Sequence, residues 1–216
     1  MTIDQVVQQL QLECKTSLMA VCKLLGYKDV NWETHGKIIE VLESKSQRKL
    51  ICVPRGTLKS SIACVAYPIW RLINDPDDRI LLDSQLYTNS KNFIREIRAH
   101  LEATNMRTLF GDLKSETWNS GELIVSSRAK PLKEPSLTAG GIGTVKVGQH
   151  YNCIIGDDYS SWDNCNTPEK AQQVIDHYKY NLSILEPDGT YVIIGTRYSE
   201  NDAIGHIIAN EDTVLV

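Results

Sequence analysis

The stretch Leu50-Ile51-Cys52-Val53-Pro54-Arg55-Gly56-Thr57-Leu58-Lys59-Ser60-Ser61 decides how the rest of the chain is read. An apolar run of strand type breaks into a short loop that closes on Lys-Ser. Beyond it Ile62, Val65, Ile69 and Ile73 recur on one side of a helix. Strand, tight loop and helix in that order make a phosphate cradle, because loop N–H groups and the positive helix end face the same anion. Against G-x-x-x-x-G-K-[ST] only the Lys-Ser end fits, since Val53 and Leu58 hold the two glycine positions. Gly56 still supplies the turn. Residues Pro54, Arg55, Gly56, Thr57, Leu58, Lys59, Ser60 and Ser61 are the candidate nucleotide-binding set. In it Lys59 would neutralise the β- and γ-phosphates, the Ser60 hydroxyl would hold Mg²⁺, and Arg55 would grip the γ-phosphate. The plainer reading is a basic surface turn after a strand.

Two later segments weigh against the plainer reading. Cys153-Ile154-Ile155-Gly156-Asp157-Asp158 is an apolar strand ending in paired carboxylates. Asp157 suits Mg²⁺ binding through the ion's water shell, and Asp158 suits orienting or deprotonating a water. Val192-Ile193-Ile194-Gly195-Thr196-Arg197 is another apolar strand. At the C-terminal edge of a parallel sheet the Thr196 hydroxyl can sense a γ-phosphate. Alone, each is equally a solvated strand-to-loop junction.

Length and composition bound the answer. At 216 residues, 42% hydrophobic and 23% charged, the chain suits one large globular domain. A formal charge of −4 excludes a chain-wide basic coat, so any nucleic-acid contact is local. The basic clusters at Lys45–Lys49 and Arg128–Lys133 read as solvated loops. Six cysteines without a C-x-x-C pair argue against a zinc site and for a reducing, cytoplasmic setting. No leader pattern and no run of 18 apolar residues points to a membrane.

Periodicity predicts a helix over 3–25 and a second starting at Asn31, an N-cap type. It predicts strands at Leu50–Val53, Arg79–Asp83, Asn152–Gly156 and Tyr191–Gly195, with strand and turn character over 115–145. Pro68 predicts a kink in the helix after the loop. Thr88 or Asn89 should cap the next helix. Thr167-Pro168-Glu169 should start one reaching about Leu185, with a turn at Pro187-Asp188-Gly189. Strands alternating with helices imply an α/β three-layer sandwich around a largely parallel sheet, the P-loop NTPase architecture. We divide the chain into an N-terminal helical segment, 1–30, and an ATPase domain, 31–216.

Together these segments resemble the ATPase domain of tailed-bacteriophage terminase large subunits, the DNA-packaging motors, over about residues 30–205. Trp32-Glu33-Thr34-His35 is similar to that family's adenine-binding segment, and Pro54-Arg55-Gly56 to its deviant phosphate loop. Pro68-Ile69-Trp70, Asn74-Asp75-Pro76 and Arg79-Ile80-Leu81 resemble the next helix and strand. Ile154–Asp158 resembles the acidic motif, and Ile194–Asp202 the coupling motif. The chain departs from the family in Gly156, where an aliphatic residue is usual, and in Asp158, where many such motors carry Glu.

The resemblance implies an ATP-hydrolysing motor with Mg²⁺ as cofactor, acting on double-stranded DNA in an infected bacterial host. It also implies a ring of subunits with a portal protein and a small terminase subunit as partners. Trp32 and His35 would then touch adenine, although one face of an amphipathic helix explains them as well. A cation from the neighbouring subunit would complete each site; Lys146 is the first candidate and Arg128 the second. Such subunits continue into a nuclease domain, for which Glu200, Asp202, Glu211 and Asp212 are too few acids, so no nuclease activity is expected. The rival expectations are a helicase-like nucleic-acid-dependent NTPase and a nucleotide-binding regulatory module with a decayed site.

Overall fold

The computed structural model describes residues 2–144, 148–198 and 202–210, with backbone alone at 214–215. Helices α1 (Ile3–Thr16), α2 (Leu18–Leu24) and α3 (Trp32–Glu43) lead into β1 (Arg48–Cys52). After the loop a π-helical stretch, Ser61–Ala66, runs into α4 (Tyr67–Asn74). Then follow β2 (Ile80–Ser84), α5 (Tyr87–Leu101), α6 (Thr104–Phe110), β3 (Lys114–Trp118), β4 (Glu122–Val125) and β5 (Leu137–Gly141). The chain continues through β6 (Tyr151–Asp157), α7 (Trp162–Cys165), α8 (Pro168–Ser183), β7 (Leu185–Gly195), α9 (Ala203–Asn210) and β8 (Val214–Leu215).

The strands form one sheet in the order β3-β4-β5-β2-β6-β7-β1-β8. Pairing is parallel from β5 through to β8, and antiparallel between β3 and β4 and between β4 and β5, so that β4 alone runs against the rest. Successive side chains point to opposite faces, so each central strand feeds two cores. Ile51, Ile80, Leu82, Cys153, Ile155, Val192 and Ile194 pack with the helices of the chain's first half. Leu50, Leu81, Ile154, Tyr191 and Ile193 pack with α8 and α9. Near-continuous apolar strands are what burial on both faces demands. The structure is therefore the expected α/β three-layer sandwich. Buried Cys14, Leu18, Val21 and Cys22 of α1 and α2 join the first core.

Local expectations hold where a cap or a period dominates. Asn31 caps α3, accepting from the Thr34 N–H at 2.9 Å, and Thr167 caps α8 with Pro168 in the first turn. Three expectations give way to other constraints, and at Pro68 the helix changes type. The predicted helix over 3–25 breaks at Ser17, which takes an extended conformation and caps α2 with its own hydroxyl. Pro68 does not end its helix; the turns before it widen to π geometry, with the Tyr67 N–H reaching back to the Ile62 carbonyl. That register relieves the conflict between the ring and the carbonyl four residues earlier. Helix α5 starts at Tyr87, without a side-chain cap, rather than after Thr88 or Asn89. Its first turn is set by packing: a Cβ on Gly141 would stand 2.6 Å from the Tyr87 nitrogen. Pro187–Gly189 is a bulge inside β7 rather than a turn before it. Between the pairs Tyr151↔Leu185 and Cys153↔Thr190, β6 advances by two residues and β7 by five. The short helices α6, α7 and α9 carry too few periods to be read from sequence.

Among the described residues no helix is long and apolar enough to cross a membrane. Asn31→Ala should lower the unfolding free energy by about 1 kcal/mol, measured as a shift in urea midpoint, while Asn31→Asp retains most of it.

Candidate nucleotide site

The C-terminal ends of β1, β6 and β7 lie side by side, because β7 pairs with both neighbours. Cys52 pairs with Gly195 and Ile194 with Asp157, so the three strands end almost level. The loop after β1 closes a cavity of about 510 Å³, lined by residues 55–61 and Asp158. A larger cavity of about 670 Å³, between α8 and α9, shares no lining residue with it. That one offers only His206 and Cys165 as titratable groups, so volume alone does not mark the site.

The loop solves its missing glycine in an unexpected way. Gly56 takes φ +82°, as its turn requires, but Leu58 also takes φ +52°. The left-handed conformation that glycine adopts freely is here imposed on a leucine, at a cost of about 1–2 kcal/mol. Leu58 packs its side chain on the first core, which offsets the strain. The Thr57 hydroxyl donates to the Pro54 carbonyl at 2.8 Å and tightens the same turn.

Lys59 is 6% exposed and spans two strands. Its ammonium donates to the Val53 carbonyl at 3.0 Å, to the Thr196 hydroxyl at 3.0 Å and to the Gly195 carbonyl at 3.4 Å. Ser60 donates from Oγ to Asp157 Oδ1 at 2.8 Å. Asp157 is buried, and its pKa is pushed up to about 6, foremost by loss of water. The Ser60 hydroxyl and Lys59 pull against that rise, and the Asp158 charge adds to it. Asp158 stands at φ +44°, its N–H donating to the Ile194 carbonyl at 2.9 Å. Its Oδ1 is buried and meets no hydrogen-bond partner. Arg55 lies on the open side of the cavity and donates to the Tyr198 hydroxyl.

Lys59, Ser60, Asp157, Asp158 and Thr196 are thus brought together at one sheet edge. Trp32 and His35 do not line the cavity. Trp32 is largely exposed and lies over Gly36, while His35 is buried with Nδ1 accepting from the Asn31 N–H at 3.2 Å. Arg128 is at the opposite edge: it donates to the carbonyls of Glu134, before β5, and of Asp78, before β2. Its guanidinium is bonded there within its own chain. Lys146, Glu200, Glu211 and Asp212 lie outside the described residues. The basic cluster at Lys45–Lys49 is also at the far edge, where buried Lys49 donates to the carbonyls of Leu42 and Ser44.

Sequence reading placed Tyr198 in the coupling motif but not its contact, the hydroxyl that holds Arg55. It also missed a polar group around Asp83, Tyr159, His177, Asn181 and Tyr191. Two signals were present: an acid inside the apolar run Ile80-Leu81-Leu82-Asp83, and polar residues 177 and 181 one helical turn apart.

The architecture is that of P-loop ATPase domains. Among solved structures, a mutant of S. cerevisiae Dbp5 bound to Nup159, Gle1, IP6 and ADP superposes with TM-score 0.57 at 12% identity, over 92% of this chain and 51% of that one. A mutant of the Thermus phage P74-26 large terminase ATPase domain gives 0.53 at 15% identity, over 82% and 69%. The helicase MrfA gives 0.52 at 10% identity, over 92% and 32%. The chain thus spans about half of the Dbp5 chain it matches. No protein-family model and no curated protein matches the sequence.

The raised pKa of Asp157 has a sign that can be tested. Between pH 4 and 6 the unfolded chain releases this proton and the folded chain keeps it, so stability falls as pH rises through that window. Asp157→Asn removes the penalty. It should raise the melting temperature of the nucleotide-free protein at pH 8, by the equivalent of about 1–3 kcal/mol, and leave it nearly unchanged at pH 4.

Proposed function

We propose that this chain is an ATP-hydrolysing motor domain of a viral terminase large subunit, driving double-stranded DNA into a procapsid. The observation that carries an ATPase reading is that Lys59 and Ser60, which line one cavity with Asp158, hydrogen-bond to Thr196 and to Asp157. Dispersed over 138 positions of sequence, they meet only because β7 lies between β1 and β6. The terminase reading adds the order of the Pro54-Arg55-Gly56 and Gly195-Thr196-Arg197-Tyr198 segments, and is supported by the likeness to a phage terminase ATPase domain. Dbp5 and MrfA favour a second reading, a helicase-like nucleic-acid-dependent NTPase.

Loop N–H groups from Gly56 to Ser61 would bind the phosphates, with Lys59 leaving its carbonyl partners for the more strongly charged oxygens. Ser60 Oγ and the Asp157 carboxylate suit Mg²⁺, an ion usually held by one or two protein oxygens together with substrate phosphates. Bound there, Mg²⁺ would neutralise charge on the β- and γ-phosphates. Asp158 Oδ1, an acceptor with no partner, would take a hydrogen bond from the attacking water and hold it in line. Thr196, already bonded to Lys59, would register loss of the γ-phosphate along β7. Arg55 would leave Tyr198 to add positive charge, and a neighbouring subunit would complete the site. DNA contacts would be to phosphates, without base readout.

ATP turnover per subunit, measured against protein concentration with Mg²⁺, tests this. Turnover should rise with concentration as neighbours complete the site, and Lys59→Ala should lower it at least a hundredfold, on the order expected for losing a main phosphate contact. Turnover unaffected by Lys59→Ala would overturn the site. Stimulation by double-stranded DNA without strand separation supports the packaging motor, whereas unwinding favours the helicase-like enzyme.

A further inference from the structure

Asp83 is an acid inside β2, 2% exposed, on the sheet face covered by α8. Its Oδ2 accepts from the Tyr159 hydroxyl at 2.7 Å and from Asn181 Nδ2 at 2.6 Å, and lies 2.6 Å from His177 Nε2. The Tyr159 and Tyr191 hydroxyls are 2.9 Å apart, and Asn181 also donates to Tyr191 at 3.2 Å. One buried carboxylate oxygen thus gathers side chains from α8 and from the loop after β6, with β7 one bond further on.

Both strands beside β2 make room for this group. Asp83 pairs with Gly140 of β5 and with Gly156 of β6. A Cβ on Gly140 would stand 2.5 Å from Asp83 Oδ1, and one on Gly156 would stand 2.5 Å from the Tyr159 ring. The residue that departs from the terminase pattern, Gly156, is therefore the floor on which Tyr159 lies. A buried polar cluster is costlier than an apolar one of the same volume, so its place in the chain is informative. Tyr159 directly follows Asp158, a non-glycine residue in the left-handed region that relaxes unless both sides hold it. On one side the Asp158 N–H is bound to the end of β7; on the other stands the buried, hydrogen-bonded Tyr159.

We propose that Asp83 and Tyr159 are positioning residues for the hydrolytic step: Asp83, anchored by His177 and Asn181, fixes Tyr159, and Tyr159 holds the Asp158 carboxylate where a water must sit. This rests on the ATPase reading above. It also makes α8 the element through which displacement of the helix would reach Asp158.

The test uses the full chain and Tyr159→Phe, which keeps the ring over Gly156 and removes only the hydroxyl. Turnover is expressed per Mg-ATP-binding subunit, so loss of folded protein does not count. The expected result is a fall in kcat of about tenfold to a hundredfold, as for sub-ångström misplacement of a catalytic group, with KM for ATP and thermal protection by Mg-ATP nearly unchanged. Gly156→Ala, which displaces the ring with its hydroxyl intact, should give the same kcat-only loss. Unchanged kcat in Tyr159→Phe, or equal losses of kcat and Mg-ATP protection, would overturn the positioning role while Lys59→Ala still abolishes turnover. Wild-type turnover insensitive to Lys59→Ala would instead overturn the ATPase reading, and this proposal with it.

Discussion

Parallel pairing of β1, β7 and β6 in near-level register is the constraint on which the rest of the site depends. Side chains at the end of one strand cannot reach those of a strand two places away unless the strand between stops at the same height. Here Cys52 faces Gly195 and Ile194 faces Asp157, so the loops after all three strands open at one level. Lys59 can then bridge to Thr196, and Ser60 can reach Asp157. That register is enforced by burial on both faces. A slip of one residue would exchange the alternating sets Ile51, Ile155, Val192 and Leu50, Ile154, Ile193 between the two cores.

Strain and unfavourable burial concentrate at this edge. Leu58 and Asp158 are the described non-glycine residues with positive φ, and both line the cavity. Asp157 is held half-protonated near pH 6, and Asp158 carries a buried acceptor without a partner. Each is destabilising on its own, and the cores beneath offset them. Such groups have bonding capacity that the protein does not satisfy by itself, and a site for a charged ligand with its own cation would have this character. The opposite edge differs. There Arg79 pairs with Glu134 and Glu186, Arg71 pairs with Asp78, and Lys49 donates to two carbonyls.

Sequence and structure divide the information unevenly. The fold class was legible because Leu50–Val53, Asn152–Gly156 and Tyr191–Gly195 are apolar without alternation, the mark of strands buried on both sides, and because helices separate them. The caps at Asn31 and Thr167 were legible because a cap is a local hydrogen bond between residues three apart. The phosphate loop and the acidic pair were legible as residue types in order. Helix α5 and the β7 bulge were not, because their limits are set by contacts with Gly141 and with β6, distant in sequence.

By itself the sequence determined the alternation of strands and helices, the apolar character of the central strands and the residue types of the candidate site, since each follows from local periodicity and short-range chemistry. Only the tertiary structure decided strand order, and with it which side chains meet. It removed Arg128 to the far edge, seated Leu58 in a glycine's conformation, and turned Gly156 from an anomaly into the space for Tyr159 beside Asp83. The physical reason is that a parallel sheet brings together residues separated by whole βα units, through crossovers whose endpoints no local pattern encodes.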